Sequence, residues 1–424
     1  MKYKKTILPS GLRIVTIPMK GNPTVTALVM VEAGSKYETE EINGLSHFLE
    51  HMCFKGTKKR PSVRDITSEL DSIGAAYNAF TGQEYTGYYA KASADKFDTV
   101  LDVVSDIYLN QTVPSAELEK EKGVIIEEIN MVEDDPKHKV HYDFMRIVYG
   151  DQPAGWPILG PKENIRRFTR DDFISYRDAH YVTSATVVTI AGNFNEKEAI
   201  AKVKKIFADA SKAKKKGKSK VDDLQKEKKL KVFEKPLDQA HMILGVRSVD
   251  LYSDDIPALS VLRAVLSGGM SARLWHKMRE ELGICYYVYA SNDNYTDHGL
   301  FTVSAGVDKN RVDVAIREIC AELNRLTTEL VQDKELKKAK ETIIGRMYLG
   351  LESSDDIAQF YASQEVHKEK IRTPEDVRKE IEAVTASDVR KIAKKVFVEK
   401  NLNCAIVGPF KDDATFRTAL TFKA

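Results

Sequence analysis

In the stretch GLSHFLEHMCFKGT, His47, Glu50 and His51 form H-x-x-E-H. Positions i, i+3 and i+4 of a helix share one face, so two imidazoles can bind one Zn²⁺ while a carboxylate sits beside it. The same pattern arises by composition on ordinary core helices, so a second signal is required. A hydrolytic zinc site takes three protein ligands and keeps a fourth position open, which asks for one more carboxylate from elsewhere in the chain. The segment ELEKEKGVIIEEINMV offers candidates. Its apolar residues Leu118, Ile125 and Val132 recur every seven positions and mark an inward stripe, on which Glu121 and Glu128 also fall. Glu127 points to the opposite side. Carboxylates on a core-facing stripe are costly unless paired, hydrogen-bonded or bound to a cation, and that selects Glu128 over Glu127. The bland alternative is a surface helix turned to present these acids to water.

The elements that must position these groups are legible from pattern. Helices are expected over Leu45 to Phe54, Ser62 to Ile73 with Gly74 as the stop, Lys96 to Asn110, and Ser115 to Val132; strands over Arg13 to Ile17 and Thr24 to Val31. The chain also matches itself. At an offset of 216, Thr169, Asp172, Gly192 and Phe194 fall on Thr385, Asp388, Gly408 and Phe410. TGYYAKASADKFDTVLDVV from Thr86 likewise pairs with HGLFTVSAGVDKNRVDVAI from His298, each an alternating strand followed by an amphipathic helix. The expectation is an α+β protein of two homologous domains of similar size, each a largely antiparallel sheet with one face covered by helices. The domains are residues 1–210, carrying the metal motif, and 230–424. Between them the Lys-rich stretch 211–229 reads as a solvated linker.

Composition narrows the function classes. Lys+Arg 65 against Asp+Glu 63 leaves a net charge of +2 over 424 residues, so no global field argues for nucleic acid or an anionic membrane. No apolar run approaches the roughly 20 residues of a membrane span, and the N-terminal residues lack a signal-peptide core, so a cytoplasmic protein is expected. Cys53, Cys285, Cys320 and Cys404 show no C-x-x-C pair, and reduced, mostly buried thiols are expected.

HFLEHMCFKGT followed by EKGVIIEEINMVEDDP resembles the inverzincin zinc peptidases, the family of pitrilysin, insulysin and the mitochondrial processing peptidases, and most closely their bacterial short-chain members. The resemblance implies a third ligand 77 positions after His51, which is Glu128, and an accessory glutamate seven residues earlier, Glu121. It implies that Asn78 and Ala79 in YNAFTGQEYTGYYA hold an extended substrate by backbone pairing. It further implies that Arg279 and Tyr286 in the second half contact the substrate carbonyl, with Glu50 as general base. The second half departs from the pattern: it has no H-x-x-E-H, and aligning Leu118 with Leu336 places Arg346 opposite Glu128. Its histidines, and His138, His141 and His180, read as ordinary surface or core residues. The implied protein is a zinc metalloendopeptidase acting on peptides or unfolded polypeptide inside a dimeric clamshell. It is a homodimer in the simplest version and a heterodimer with a sister chain in the other. A non-catalytic scaffold subunit and a dedicated presequence-processing peptidase are the alternatives.

Overall fold

The computed structural model describes residues 2–367 and 370–422 and divides the chain into two compact units. The first comprises Met1–Asn130, Trp156–Ser219 and Leu349–Pro374; the second comprises Met131–Gly155, Lys220–Tyr348 and Glu375–Ala424.

The first unit is built on β1 (Lys4–Ile7), β2 (Arg13–Pro18), β3 (Thr24–Val31), β4 (Ala76–Thr81), β5 (Thr86–Ser93) and β6 (Thr186–Gly192), in the order β1-β2-β6-β3-β5-β4. Only β2 and β6 pair in parallel. β3 reads TVTALVMV, a nearly continuous apolar run, because both its faces are buried. Val25, Ala27, Val29 and Val31 face a core shared with the helices Leu45–Cys53 and Phe97–Leu109, whereas Leu28 and Met30 face the other way, onto Ile357, Tyr361 and Val366.

The second unit has β7 (Lys229–Glu234), β8 (Gln239–Ser248), β9 (Cys285–Asn294), β10 (Gly299–Asp308) and β11 (Asn403–Gly408), ordered β7-β11-β8-β10-β9, with β7 and β11 the parallel pair. Apart from the extra edge strand β1, this is the topology of the first sheet. The helices that feed β6 and β11, Arg170–His180 and Ala386–Val396, begin with the same capping box, Thr169 with Asp172 and Thr385 with Asp388.

Two features differ from the expectation of contiguous domains with one covered sheet face. The helix Pro136–Tyr149, from the first half of the chain, belongs to the second unit, where Val140, Phe144 and Val148 pack on Ile243, Ala405 and Val407. The helix Ser354–Val366, from the second half, belongs to the first unit and covers the face opposite the helical core, held there by Ser354 on Thr26 and by the Arg13 guanidinium on the Glu365 carbonyl. Each apolar face would otherwise meet water, so the exchange completes both cores. The Lys-rich stretch is also not a free tether. It lacks helix and strand up to Lys228, yet Lys215 pairs with Glu32, Lys218 with Glu84, Val221 is buried and Gln225 bonds Asn403. All four cysteines are free and buried. No helix among the described residues is long and apolar enough to cross a membrane.

Candidate active site

Helix Leu45–Cys53 is anchored by its apolar side, with Leu45, Phe48, Leu49 and Met52 buried, and this leaves His47, Glu50 and His51 half-buried on the adjoining face. Glu38 fixes where the helix begins: its carboxylate accepts from the backbone N–H of Gly44 and Ser46, at 2.9 and 2.6 Å, satisfying amides that a helix start leaves orphaned. The helix Ser115–Asp134 buries Leu118, Glu121, Ile125 and Ile129, leaves Glu127 exposed and holds Glu128 half-buried.

The two helices bring His47, His51 and Glu128 together, with one ligand atom from each within 4.8 Å of the others. Glu128 Oε2 lies 3.7 Å from His47 Nε2 and 3.6 Å from His51 Nε2. These separations are too long for hydrogen bonds, but they approach the edge of about 3.4 Å that a tetrahedron with metal bonds of about 2.1 Å would have. Burial, with the nearby His51, pushes His47 down to about 3, so its imidazole is neutral and its lone pair is available. His51 Nδ1 is 2.9 Å from Glu121 Oε1, and Lys55 Nζ is 2.6 Å from Glu121 Oε2. Burial alone would raise the Glu121 carboxyl, but these two partners outweigh it and hold the group below its ordinary range. The ionised Glu121 therefore accepts the Nδ1 proton of His51 and turns Nε2 toward Glu128. Burial opposes the charged form of His51, but Glu121, Glu128 and Glu50 outweigh it and raise the group above its ordinary value, so His51 would give up its second proton on binding a metal. The donor set of two imidazole nitrogens and one carboxylate fits Zn²⁺. Among the described residues no other group of this kind occurs.

Glu50 is raised above the ordinary carboxylate range, chiefly by burial, with the Glu128 charge adding to it. Thr81 Oγ1 donates to Glu50 Oε2 at 2.5 Å, which leaves Oε1 free. Thr81 is the last residue of β4, and the turn after it is pinned where Ser35 and Lys36 donate backbone N–H groups to the Gly82 and Gln83 carbonyls. Gly34 permits that approach, since a Cβ there would stand 2.3 Å from the Gly82 oxygen. Neither Thr81 nor Glu38 carries a sequence signature. Lys55 stands four residues after His51, just past the end of the helix.

Asn78 and Ala79 lie on β4, the edge strand of its sheet, with Asn78 exposed and its Oδ1 accepting from the Ala79 N–H at 2.9 Å. Arg279 and Tyr286 belong to the other unit. Arg279 sits on the wide-turn helix His276–Glu281 and donates to the Cys285 carbonyl at 2.8 Å; Tyr286, near the start of β9, is 58% exposed.

Comparison with known proteins bears on this arrangement. Residues 13–162 match the insulinase family, peptidase family M16, and residues 167–343 match the peptidase M16 inactive domain. A Bacillus subtilis relative named "Uncharacterized zinc protease YmxG" is 36% identical over 96% of this chain and 98% of its own. A Rickettsia felis "Uncharacterized zinc protease" is 32% identical over 95% and 96%. Among solved structures, a protease from Helicobacter pylori superposes with a TM-score of 0.89 at 22% identity, covering 96% of this chain and 99% of that one. A Pseudomonas fluorescens structure described as a peptidase M16 inactive domain gives 0.90 at 17%, covering 97% and 99%. At such identities these two structures speak to the fold alone.

Proposed function

The chain belongs to the insulinase family, peptidase family M16, and from that premise we propose that it is a zinc metalloendopeptidase with one active site per chain. The observation that carries the reading is the convergence of His47, His51 and Glu128 beside Glu50, with His51 set by Glu121. His47, His51 and Glu128 would hold Zn²⁺, which when bound supplies Lewis-acid polarisation of the scissile carbonyl and lowers the pKa of water. Glu50, with Oε2 occupied by Thr81, takes the proton of the attacking water on Oε1 and passes it to the leaving amine. The outward edge of β4 around Asn78 and Ala79 pairs with the extended peptide, and Arg279 with Tyr286 stabilises the developing oxyanion.

The substrates on this reading are peptides or unfolded segments, taken by a homodimeric clamshell in the cytoplasm. The four free cysteines favour a reducing compartment. The test is mass spectrometry of a random peptide mixture incubated with the zinc-loaded protein. Cleavage that stops on chelation and returns with zinc is expected; an intact mixture would instead favour a non-catalytic scaffold subunit. The dimer is tested by mixing Glu50→Gln chains with Arg279→Ala, Tyr286→Phe chains. If the pair serves the partner's site, confirmed subunit exchange restores about a quarter of wild-type activity, because half the dimers are mixed and each has one intact site. Exchange without recovery contradicts that arrangement.

A further inference from the structure

The hydroxyl that meets Glu50 stands at the foot of a loop, and that loop is held by charge. Thr81 and Thr86 face each other in register across β4 and β5, and residues 82–85 join them, with the Gly82 N–H donating to the Tyr85 carbonyl at 2.8 Å. The Ser35 N–H donates to the Gly82 carbonyl and the Thr86 hydroxyl to the Ala33 carbonyl, at 3.3 and 2.9 Å, so residues 33–35 tie down both ends of the loop. Between those ends the Glu84 side chain, 2% exposed, turns in, and its Oε1 accepts from Lys36 Nζ at 2.9 Å. Lys36 is itself buried.

The Lys-rich stretch reaches the same carboxylate. Lys218 Nζ lies 3.3 Å from Glu84 Oε1, and Lys215 pairs with Glu32, the residue before Ala33. Lys212, Lys214 and Lys216 are exposed, whereas Lys215 and Lys218, the two that turn inward within residues 211–219, each meet a carboxylate. A carboxylate shut off from water demands a cation, and an ammonium leaves water at a cost that only such a partner offsets. These pairings therefore select where the stretch docks, and one of them is on the loop that carries Thr81. From Lys218 through Glu84 and residues 82–85 to Thr81 and Glu50 the contacts are continuous within the first unit.

We propose that Glu84 is a positioning residue for the general base and that the Lys-rich stretch acts through it: held by Lys36 and Lys218, Glu84 keeps residues 82–85 seated, and the seated loop keeps the Thr81 hydroxyl on Glu50 Oε2. The consequence for catalysis rests on the peptidase reading; the seating of the loop by the stretch does not. The last torsion of a glutamate side chain is broad, so a carboxylate without a fixed partner turns freely. With Oε2 bonded, Oε1 has one direction, toward the water. Loss of the hydroxyl therefore costs aim at the reacting proton and leaves the affinity for peptide and metal as it was.

The test measures kcat and KM separately for one peptide on the full zinc-loaded chain, together with bound zinc and with hydrogen exchange at residues 82–86, which needs no turnover. Thr81→Val should lower kcat about tenfold at unchanged KM and zinc, the scale of a hydrogen bond to a charged group, and Thr81→Ser should restore most of it. Lys218→Gln should lower kcat at least about twofold, again at unchanged KM and zinc, and speed exchange in the loop. Lys212→Gln, exposed in the same stretch, should do neither. Added to Thr81→Val, Lys218→Gln should lower kcat no further, because both act through one hydroxyl. Glu84→Gln should show the Lys218→Gln signature more strongly; it strips a buried ammonium of its partner, so Lys218→Gln carries the test should that chain fail to fold. Wild-type kcat and loop exchange in Lys218→Gln overturns the proposal, as does a loss that adds in full to that of Thr81→Val, or one that comes with raised KM or lost zinc. If the wild-type protein cleaves nothing, the peptidase reading fails, and loop exchange in Lys218→Gln still decides whether the stretch seats the loop.

Discussion

The sheets β2-β6-β3-β5-β4 and β7-β11-β8-β10-β9 share their order and their single parallel pair, and in each a helix with a Thr-x-x-Asp cap feeds the inner strand of that pair. The chemistry did not travel with the scaffold. Where the first unit has His47, Glu50 and His51, residues 230–424 contain no H-x-x-E-H, and aligning Leu118 with Leu336 sets Ala339 and Arg346 opposite Glu121 and Glu128. The replacements also differ in kind. Ala339 is buried in the core and has been absorbed into packing, whereas Arg346 is exposed. A repeated fold thus fixes where a site can stand, while a handful of side chains decides whether it can bind a cation.

The exchanged helices offer the strongest way to break this comparison. Phe144 is fully buried against the second unit's sheet although it comes from the first half of the chain. Phe144→Ala should cost about 3–5 kcal/mol, and hydrogen exchange should accelerate in β8 and β11 before it does in β3 and β6. Faster exchange confined to β3 and β6 would contradict the assignment of that helix.

A second test separates adjacent glutamates within the first unit. Glu128→Gln should weaken zinc binding by at least about a hundredfold, since even the partners of metal ligands are worth 10- to 100-fold, whereas the exposed Glu127→Gln should leave zinc unchanged. Metal analysis of the two purified variants decides it.

Acid should act unequally on the two units. Burial, with Lys216 and Lys215 nearby, pushes His180 down to about 4 from its ordinary 6.5, whereas the equivalent position in the second unit is Val396. A depressed folded-state value means that stability is complete above pH 6.5 and lost as pH falls toward 4. Between pH 8 and pH 5 the loss from this residue should be about 2 kcal/mol. His180→Val should flatten that part of the pH profile in denaturant melts; an unchanged slope would show that His180 does not carry it.

How much of this was legible in the sequence followed from how local each feature is. The strand Thr24 to Val31, the start of the Glu128 helix at Ser115 and the stop at Gly74, where φ is +63°, depend on neighbours a few residues away. The phase that separated Glu128 from Glu127 is helical geometry alone. The exchange of Pro136–Tyr149 and Ser354–Val366 was not legible, because an apolar stripe shows that a helix is buried without showing which sheet covers it. The Lys-rich stretch misled for a related reason: charge density suggested a solvated tether, while isolated residues such as Val221 and Gln225 anchor it. Thr81 is not legible in the sequence because a lone hydroxyl carries no pattern.

The central claim is that the constellation of the first unit performs peptide hydrolysis with Glu50 as the base. It is tested most directly by comparing zinc-loaded wild-type protein and Glu50→Gln on the same peptide mixture, with bound metal measured in parallel. The account predicts equal zinc in the two and at least about a hundredfold lower turnover in the variant, the scale of losing a positioned general base. Near-normal cleavage by Glu50→Gln at full zinc occupancy would contradict it.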